Sequence, residues 1–111
     1  MLKTYEEKRN NIKDEVVFIG NSVIDALETS LKTLKSDDIS ALKDIDLSVK
    51  KLSNKSNEID NLIVTTLALY SPEAKDLREM VSFLKITNEL IRAASNVKGF
   101  IKIFRKAFSE D

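Results

Sequence analysis

Histidine and cysteine are both absent from this 111-residue chain. Without histidine, the commonest general base and the commonest transition-metal ligand are missing. Without cysteine there are no disulfides and no thiolate metal sites, a pattern that fits a reducing compartment. Two glycines and one proline are too few turn formers for an all-β domain. No apolar run approaches the roughly 18 residues of a membrane span. The opening segment "MLKTYEEKRNNIKDE" is too polar to hold a signal-peptide core. Charge of either sign is also missing in net terms: 18 basic residues balance 18 acidic ones. That removes the general electrostatic attraction that drives nucleic-acid binding. The expectation is a soluble, cytoplasmic, all-α chain forming one domain over residues 1–111, large enough to bury a core without staples.

What is present is periodicity. Over about residues 3–35, Ile12, Val16, Ile19, Val23, Leu27, Leu31 and Leu34 step by three or four and fall on one helical stripe. Gly20 interrupts this helix at roughly 1 kcal/mol relative to alanine and is expected to mark a close helix approach. A "SDD" turn follows, with Ser36, Asp37 or Asp38 as candidate N-cap. The second helix, about 38–70, is the most regular. Leu42, Ile45, Val49, Leu52, Ser56, Ile59, Ile63, Thr66 and Tyr70 alternate steps of three and four, the heptad seam of helices crossing at about 20°. Ser56 breaks the seam as a small residue that permits close packing. Ser71 and Pro72, with Glu73 in the first turn, read as N-cap and first helical position of a third helix. That helix runs over about 72–108, with Leu77, Met80, Leu84, Leu90 or Ile91, Ala94, Val97, Ile101, Phe104 and Phe108 facing inward. Three helices of roughly 45 Å joined by short connections must run up, down and up. The expected fold is an antiparallel three-helix bundle.

The chemistry-bearing residues form no catalytic set. There is no nucleophile–base constellation, glycine-rich phosphate loop or suitably spaced acid pair, so an enzyme is not expected.

Residues 58–97, "EIDNLIVTTLALYSPEAKDLREMVSFLKITNELIRAASNV", carry Ile59-Asp60, Pro72 followed by Asp76-Leu77-Arg78, the Leu84–Ile86 triplet, and Glu89-Leu90 with Arg92. This segment resembles the signature region of PhoU domains, regulators of phosphate uptake and of the phosphate-starvation response. The resemblance implies binding rather than chemistry, with two kinds of partner: the ATPase of a phosphate ABC transporter, or a phosphate-sensing histidine kinase. It makes Asp76, Arg78, Glu89, Arg92, Ser95 and Asn96 candidate partner-binding residues. Family members usually hold two three-helix repeats, and this chain holds one, so a homodimer or a second repeat is the expected companion.

Many family members also carry Glu-x-x-x-Asp pairs, which place two carboxylates one helical turn apart and can hold hard or borderline cations. Here the third-helix motif is replaced, with Ile91 at the glutamate position and Ser95 at the aspartate position. No acidic residue in the chain has another four positions later; the nearest approximations are Asp25 with Glu28, Glu73 with Asp76, and Asp76 with Glu79. The expectation is no cofactor, the family's metal cluster being absent or weak.

The last stretch, "VKGFIKIFRKAF", joins Lys98, Lys102, Arg105 and Lys106 to a run of apolar side chains. Cations at a helix C-terminus complement its dipole. Phe100, Ile103, Phe104 and Phe108 span more circumference than one bundle face buries, which makes them a candidate docking face for another bundle. Peripheral contact of a basic amphipathic helix with an anionic membrane is the lesser reading. The alternative to a phosphate regulator is a structural or adaptor bundle that dimerises and has no link to phosphate.

Overall fold

A computed structural model describes residues 2–36 and 40–109, with side chains for 4–36 and 40–107. It contains three helices, α1 (Leu2–Ser36), α2 (Ser40–Tyr70) and α3 (Ala74–Ser109). They lie side by side in a body of 61 × 18 × 17 Å. The candidate caps Asp37 and Asp38, and the side chain of Phe108, lie outside the described residues. Ser36 is the last residue of α1, its hydroxyl donating to the Thr33 carbonyl at 3.2 Å.

Side-chain pairs fix the helix directions. Lys55 pairs with Glu15, and Tyr5 meets Tyr70 edge-on with ring centroids 5.9 Å apart, so α1 and α2 are antiparallel. Arg9 lies 3.7 Å from Glu79, and a Cβ built on Gly20 would stand 3.7 Å from Leu90 Cδ1. Positions numbered 70 apart therefore stand level, and α1 and α3 are parallel. The three-helix, up-down-up reading of the sequence is met.

The α2 seam is buried as its spacing requires: Leu42, Ile45, Val49, Leu52, Ser56, Ile59, Ile63 and Thr66 all face the core, with Tyr70 partly buried against it. Each aliphatic side chain buried there contributes about 1.5–3 kcal/mol. On α1 the buried stripe starts at Tyr5 and runs through Ile12, Val16, Ile19 and Val23 as expected, then continues through Ala26, Ser30 and Thr33. Leu27, Leu31 and Leu34 are 46%, 50% and 39% exposed, which corrects the upper half of the expected stripe. The reason is geometric. Steps of four repeated from Ile19 to Leu31 drift around the helix, whereas alternating threes and fours hold one face. One residue of misregistration is about 100° of circumference. The two hydroxyls that consequently enter the core bond back to their own helix. Ser30 donates to the Ala26 carbonyl at 2.7 Å and Thr33 to that of Thr29 at 2.8 Å.

On α3 the core positions are Met80, Phe83, Thr87, Ala94, Val97, Ile101 and Phe104. Leu90 and Ile91 are both partly buried. Leu77, expected inside, is 43% exposed, and Leu84 is only partly buried; Phe83, one position before Leu84, and Thr87 occupy the seam instead.

The α2–α3 junction also differs from the expectation. Ser71 has φ 43°, and its N–H donates to the Leu67 carbonyl at 3.1 Å. That is the left-handed cap closing α2, not the N-cap of α3. The first α3 bond runs from the Leu77 N–H to the Glu73 carbonyl at 2.8 Å, so Glu73 takes the N-cap position and Pro72 precedes it. Gly20 is likewise not demanded by close packing, since the nearest side-chain atom to an added Cβ would be at ordinary contact distance.

Candidate partner-binding surface

The candidate residues on α3 divide between two places. Asp76 is half-buried in the first helical turn, where a carboxylate favours the positive end of the helix dipole. Its charge, with that of Glu79, is felt by Tyr5. The Tyr5 phenol is held above its ordinary range, first by burial and then by these two carboxylates, with Arg9 opposing. Asp76 thus shares the electrostatic surroundings of Tyr5 with Glu79 and Arg9, which pair at 3.7 Å. Arg78, Glu89, Arg92 and Asn96 are exposed and recur at helical spacing on the outer side of α3. Glu89 and Arg92 form an ion pair of 3.1 Å with side chains 70% and 76% exposed, a solvated pair worth well under 1 kcal/mol to stability. Ser95 is exposed and adjoins this strip.

At the basic end, the four aromatic and aliphatic candidates also part company. Phe104 is 5% exposed and is a core residue. Phe100 is partly buried against the core, its ring centroid 6.0 Å from that of Phe104. Ile103 is 72% exposed. Of the three described candidates, only Ile103 projects fully outward.

A second outward apolar strip, whose Leu27, Leu31 and Leu34 the sequence pattern assigns to the core, runs along α1. Val17, Ile24, Leu27, Leu31 and Leu34 are each 39–53% exposed. With Gly20 they alternate steps of three and four. The signal was present as a second heptad stripe beside the buried one.

Between α1 and α2 the small residues Ser22, Ala26, Ala41 and Ser48 leave a shallow groove of about 430 Å³, flanked by Asp25 and Asp44. It continues into a space of about 370 Å³ beside Phe18, Lys51 and Lys55. Lys55 spans the helices here: its ammonium pairs with Glu15 and lies 5.6 Å from the centre of the Phe18 ring. The hydrogen bond to Glu15 lifts the Lys55 pKa above its usual value. The carboxylates that flank the groove, Asp25 and Asp44, are exposed, and among the described residues no third His, Cys, Asp or Glu joins them.

The donor set was tested for a metal. Ile91, at which the resemblance led us to expect a glutamate, is half-buried, and Ser95, at which it led us to expect an aspartate, is exposed. Among the described residues no three or more of His, Cys, Asp and Glu converge. A multinuclear metal cluster does not fit these residues.

The long outward strips of α1 and α3 define a helical module that presents surfaces. The chain belongs to the PhoU domain family, whose model matches residues 16–102. It is 28% identical over 93 residues to the phosphate-specific transport system accessory protein PhoU homolog of Archaeoglobus fulgidus. That match takes in 84% of this chain and 47% of the relative, so the chain spans about half the length of the protein it matches. No solved structure matches. No helix among the described residues is long and apolar enough to cross a membrane.

Proposed function

We propose that this chain is a regulator of phosphate transport that acts from the cytoplasmic side by binding a protein partner, without chemistry of its own. Family membership supports the phosphate-transport setting. The observation that carries the binding mode is the outward strip of α3, where Arg78, Glu89, Arg92 and Asn96 stand clear of the core. A surface of that kind stabilises one conformational state of a partner through contacts available in that state alone. The partner is the ATPase of a phosphate ABC transporter or a phosphate-sensing histidine kinase, and the chain also pairs with another three-helix unit. The family's metal cluster has been lost from this unit, with Ile91 and Ser95 in place of its ligands.

The test is co-purification with each candidate partner, comparing the wild type with Arg78→Glu/Arg92→Glu. Both positions are exposed, so the variant keeps its helicity, and capture should fall at least about tenfold if two interface cations are reversed. Equal capture of both forms, or no capture of either partner, overturns this reading. The apolar strip of α1 favours a second reading, an adaptor bundle that self-associates, for which capture would fail while assembly persists.

A further inference from the structure

We infer that the C-terminal third of α3 is a membrane-surface contact, whose row of cations, with Ile103 beside them, rests on the anionic headgroups of a bilayer. The contact goes beyond capture of a protein partner and lies past the end of the Arg78–Asn96 strip.

Charge is spread unevenly over a chain that is neutral as a whole. α1 carries six cations and six acids, and α2 four of each. α3 carries eight cations against three acids, Asp76, Glu79 and Glu89. From Ala93 to Ser109 it holds Lys98, Lys102, Arg105 and Lys106 and no acid. Elsewhere Arg9, Lys50, Lys55 and Arg92 pair with carboxylates. Lys98, Lys102 and Arg105 are exposed and make no ion pair among the described residues. The acids level with them sit on other helices. Asp25 and Asp44 flank the α1–α2 groove, on the side of the bundle away from α3, and Asp46 pairs with Lys50. On α1, Glu28 is followed by Lys32 and Lys35.

Steps of four, three and one place the four α3 cations within about 100° of the helix circumference. Val97, Ile101 and Phe104 hold the inward side. Next around the helix come Gly99, where an added Cβ would meet nothing within 4 Å, and Ile103, 72% exposed. The sequence pattern makes Phe100, Ile103, Phe104 and Phe108 an apolar docking face, but Phe104 is core and Phe100 is partly buried. This end therefore presents mainly charge, with one aliphatic side chain standing out beside it.

A bilayer surface answers that arrangement. Three of the four cations are lysines, which protein interfaces deplete while enriching arginine. A lysine ammonium is a hydrated point charge, suited to headgroups that offer no fixed geometry. A phosphate backbone would attract the cations but leave Ile103 in water. A second copy of this chain has no acidic helix to set against α3, since α1 and α2 are balanced. Cations drawn to anionic lipid, with an aliphatic group reaching the acyl boundary, are the pattern of an interfacial helix.

Flotation of the pure full chain with vesicles tests this. No transport protein enters the assay, so its failure is distinct from failed capture. The chain should float with vesicles of three parts phosphatidylcholine to one part phosphatidylserine, and stay behind with phosphatidylcholine alone. Binding should fade as salt rises from about 0.1 M to about 1 M, where the Debye length shrinks from about 10 Å to about 3 Å. Lys102→Glu/Arg105→Glu, checked for unchanged helicity by circular dichroism, should weaken binding at least about 25-fold, each cation contributing about fivefold. Ile103→Ser should weaken it at least about threefold. Lys8→Glu/Lys13→Glu, exposed on α1 at the other end of the bundle, makes the same change in net charge and should stay within about twofold of the wild type. A chain that does not float with anionic vesicles overturns the inference, and one that instead shifts a short RNA duplex or binds polyglutamate assigns the face to that polymer. Equal flotation with both lipids overturns it too, as does an equal loss in the two charge-reversal pairs.

Discussion

α2 carries one heptad seam and α1 carries two. On α2 the outward apolar side chains Leu47, Val64 and Leu69 are scattered singly, which is ordinary for a protein surface. Burial then has a single solution, and the seam from Leu42 to Thr66 goes inside without exception. On α1 the buried stripe gives up hydrophobicity toward its C-terminal half, ending in Ala26, Ser30 and Thr33, while the large residues Leu27, Leu31 and Leu34 sit on the other stripe. A helix that served only one core would place its leucines inside. The difference teaches that α1 is shared between two packing problems, one solved within the chain and one left open.

The largest expected effect separates the two α1 stripes. Ile19, 0% exposed, should lose about 2–5 kcal/mol on substitution by alanine through transfer and cavity terms. Leu27→Ala should lose less than about 1 kcal/mol as a surface change. Urea denaturation of both variants at low protein concentration measures the two losses. Similar losses for both would erase the distinction between stripes.

Next comes the seam's polar content. Thr66 is buried, but its hydroxyl donates to the Leu62 carbonyl at 2.6 Å. Thr87 is 0% exposed, and its hydroxyl oxygen has no hydrogen-bond partner among the described residues. Thr87→Val should therefore stabilise the bundle by about 1–2 kcal/mol, by removing an unsatisfied group at nearly constant shape. Thr66→Val should gain less. Thermal melts of the pair decide it, and a destabilised Thr87→Val would mean that the hydroxyl is satisfied.

The smallest effect sharpens the comparison most. Gly20→Ala should raise the stability of the single bundle by about 0.5–1 kcal/mol from helix propensity. Thermal melts of the chain and of Gly20→Ala should show that rise, and a fall would mean that the added methyl is not accommodated beside Leu90.

Legibility in the sequence followed uniqueness of pattern. The α2 seam could be read residue by residue because only one stripe was apolar. In α1 the reading was right as far as Val23 and then moved onto the neighbouring stripe, because Leu27, Leu31 and Leu34 outscore Ala26, Ser30 and Thr33 on hydrophobicity. Ser71 was misassigned for a local reason. Serine before proline is a common helix start, but the left-handed φ that makes Ser71 a C-terminal cap is a backbone conformation that residue identity does not announce. Among the candidate contact residues, Asp76 was grouped with Arg78 by sequence proximity, although residues two apart on a helix face different ways. One turned toward Tyr5 and the other toward solvent.

The sequence by itself determined that the chain is helical, that it makes three helices with short connections, that it lacks the residues for thiol or imidazole chemistry, and that no acidic residue has another four positions later. Those conclusions follow from composition and local spacing, which need no knowledge of neighbours. Which α1 stripe is core was decided only by the tertiary structure. Two stripes on one helix compete for the same two neighbouring helices, and the outcome depends on how α2 and α3 interlock with each, a non-local sum that no single helix contains.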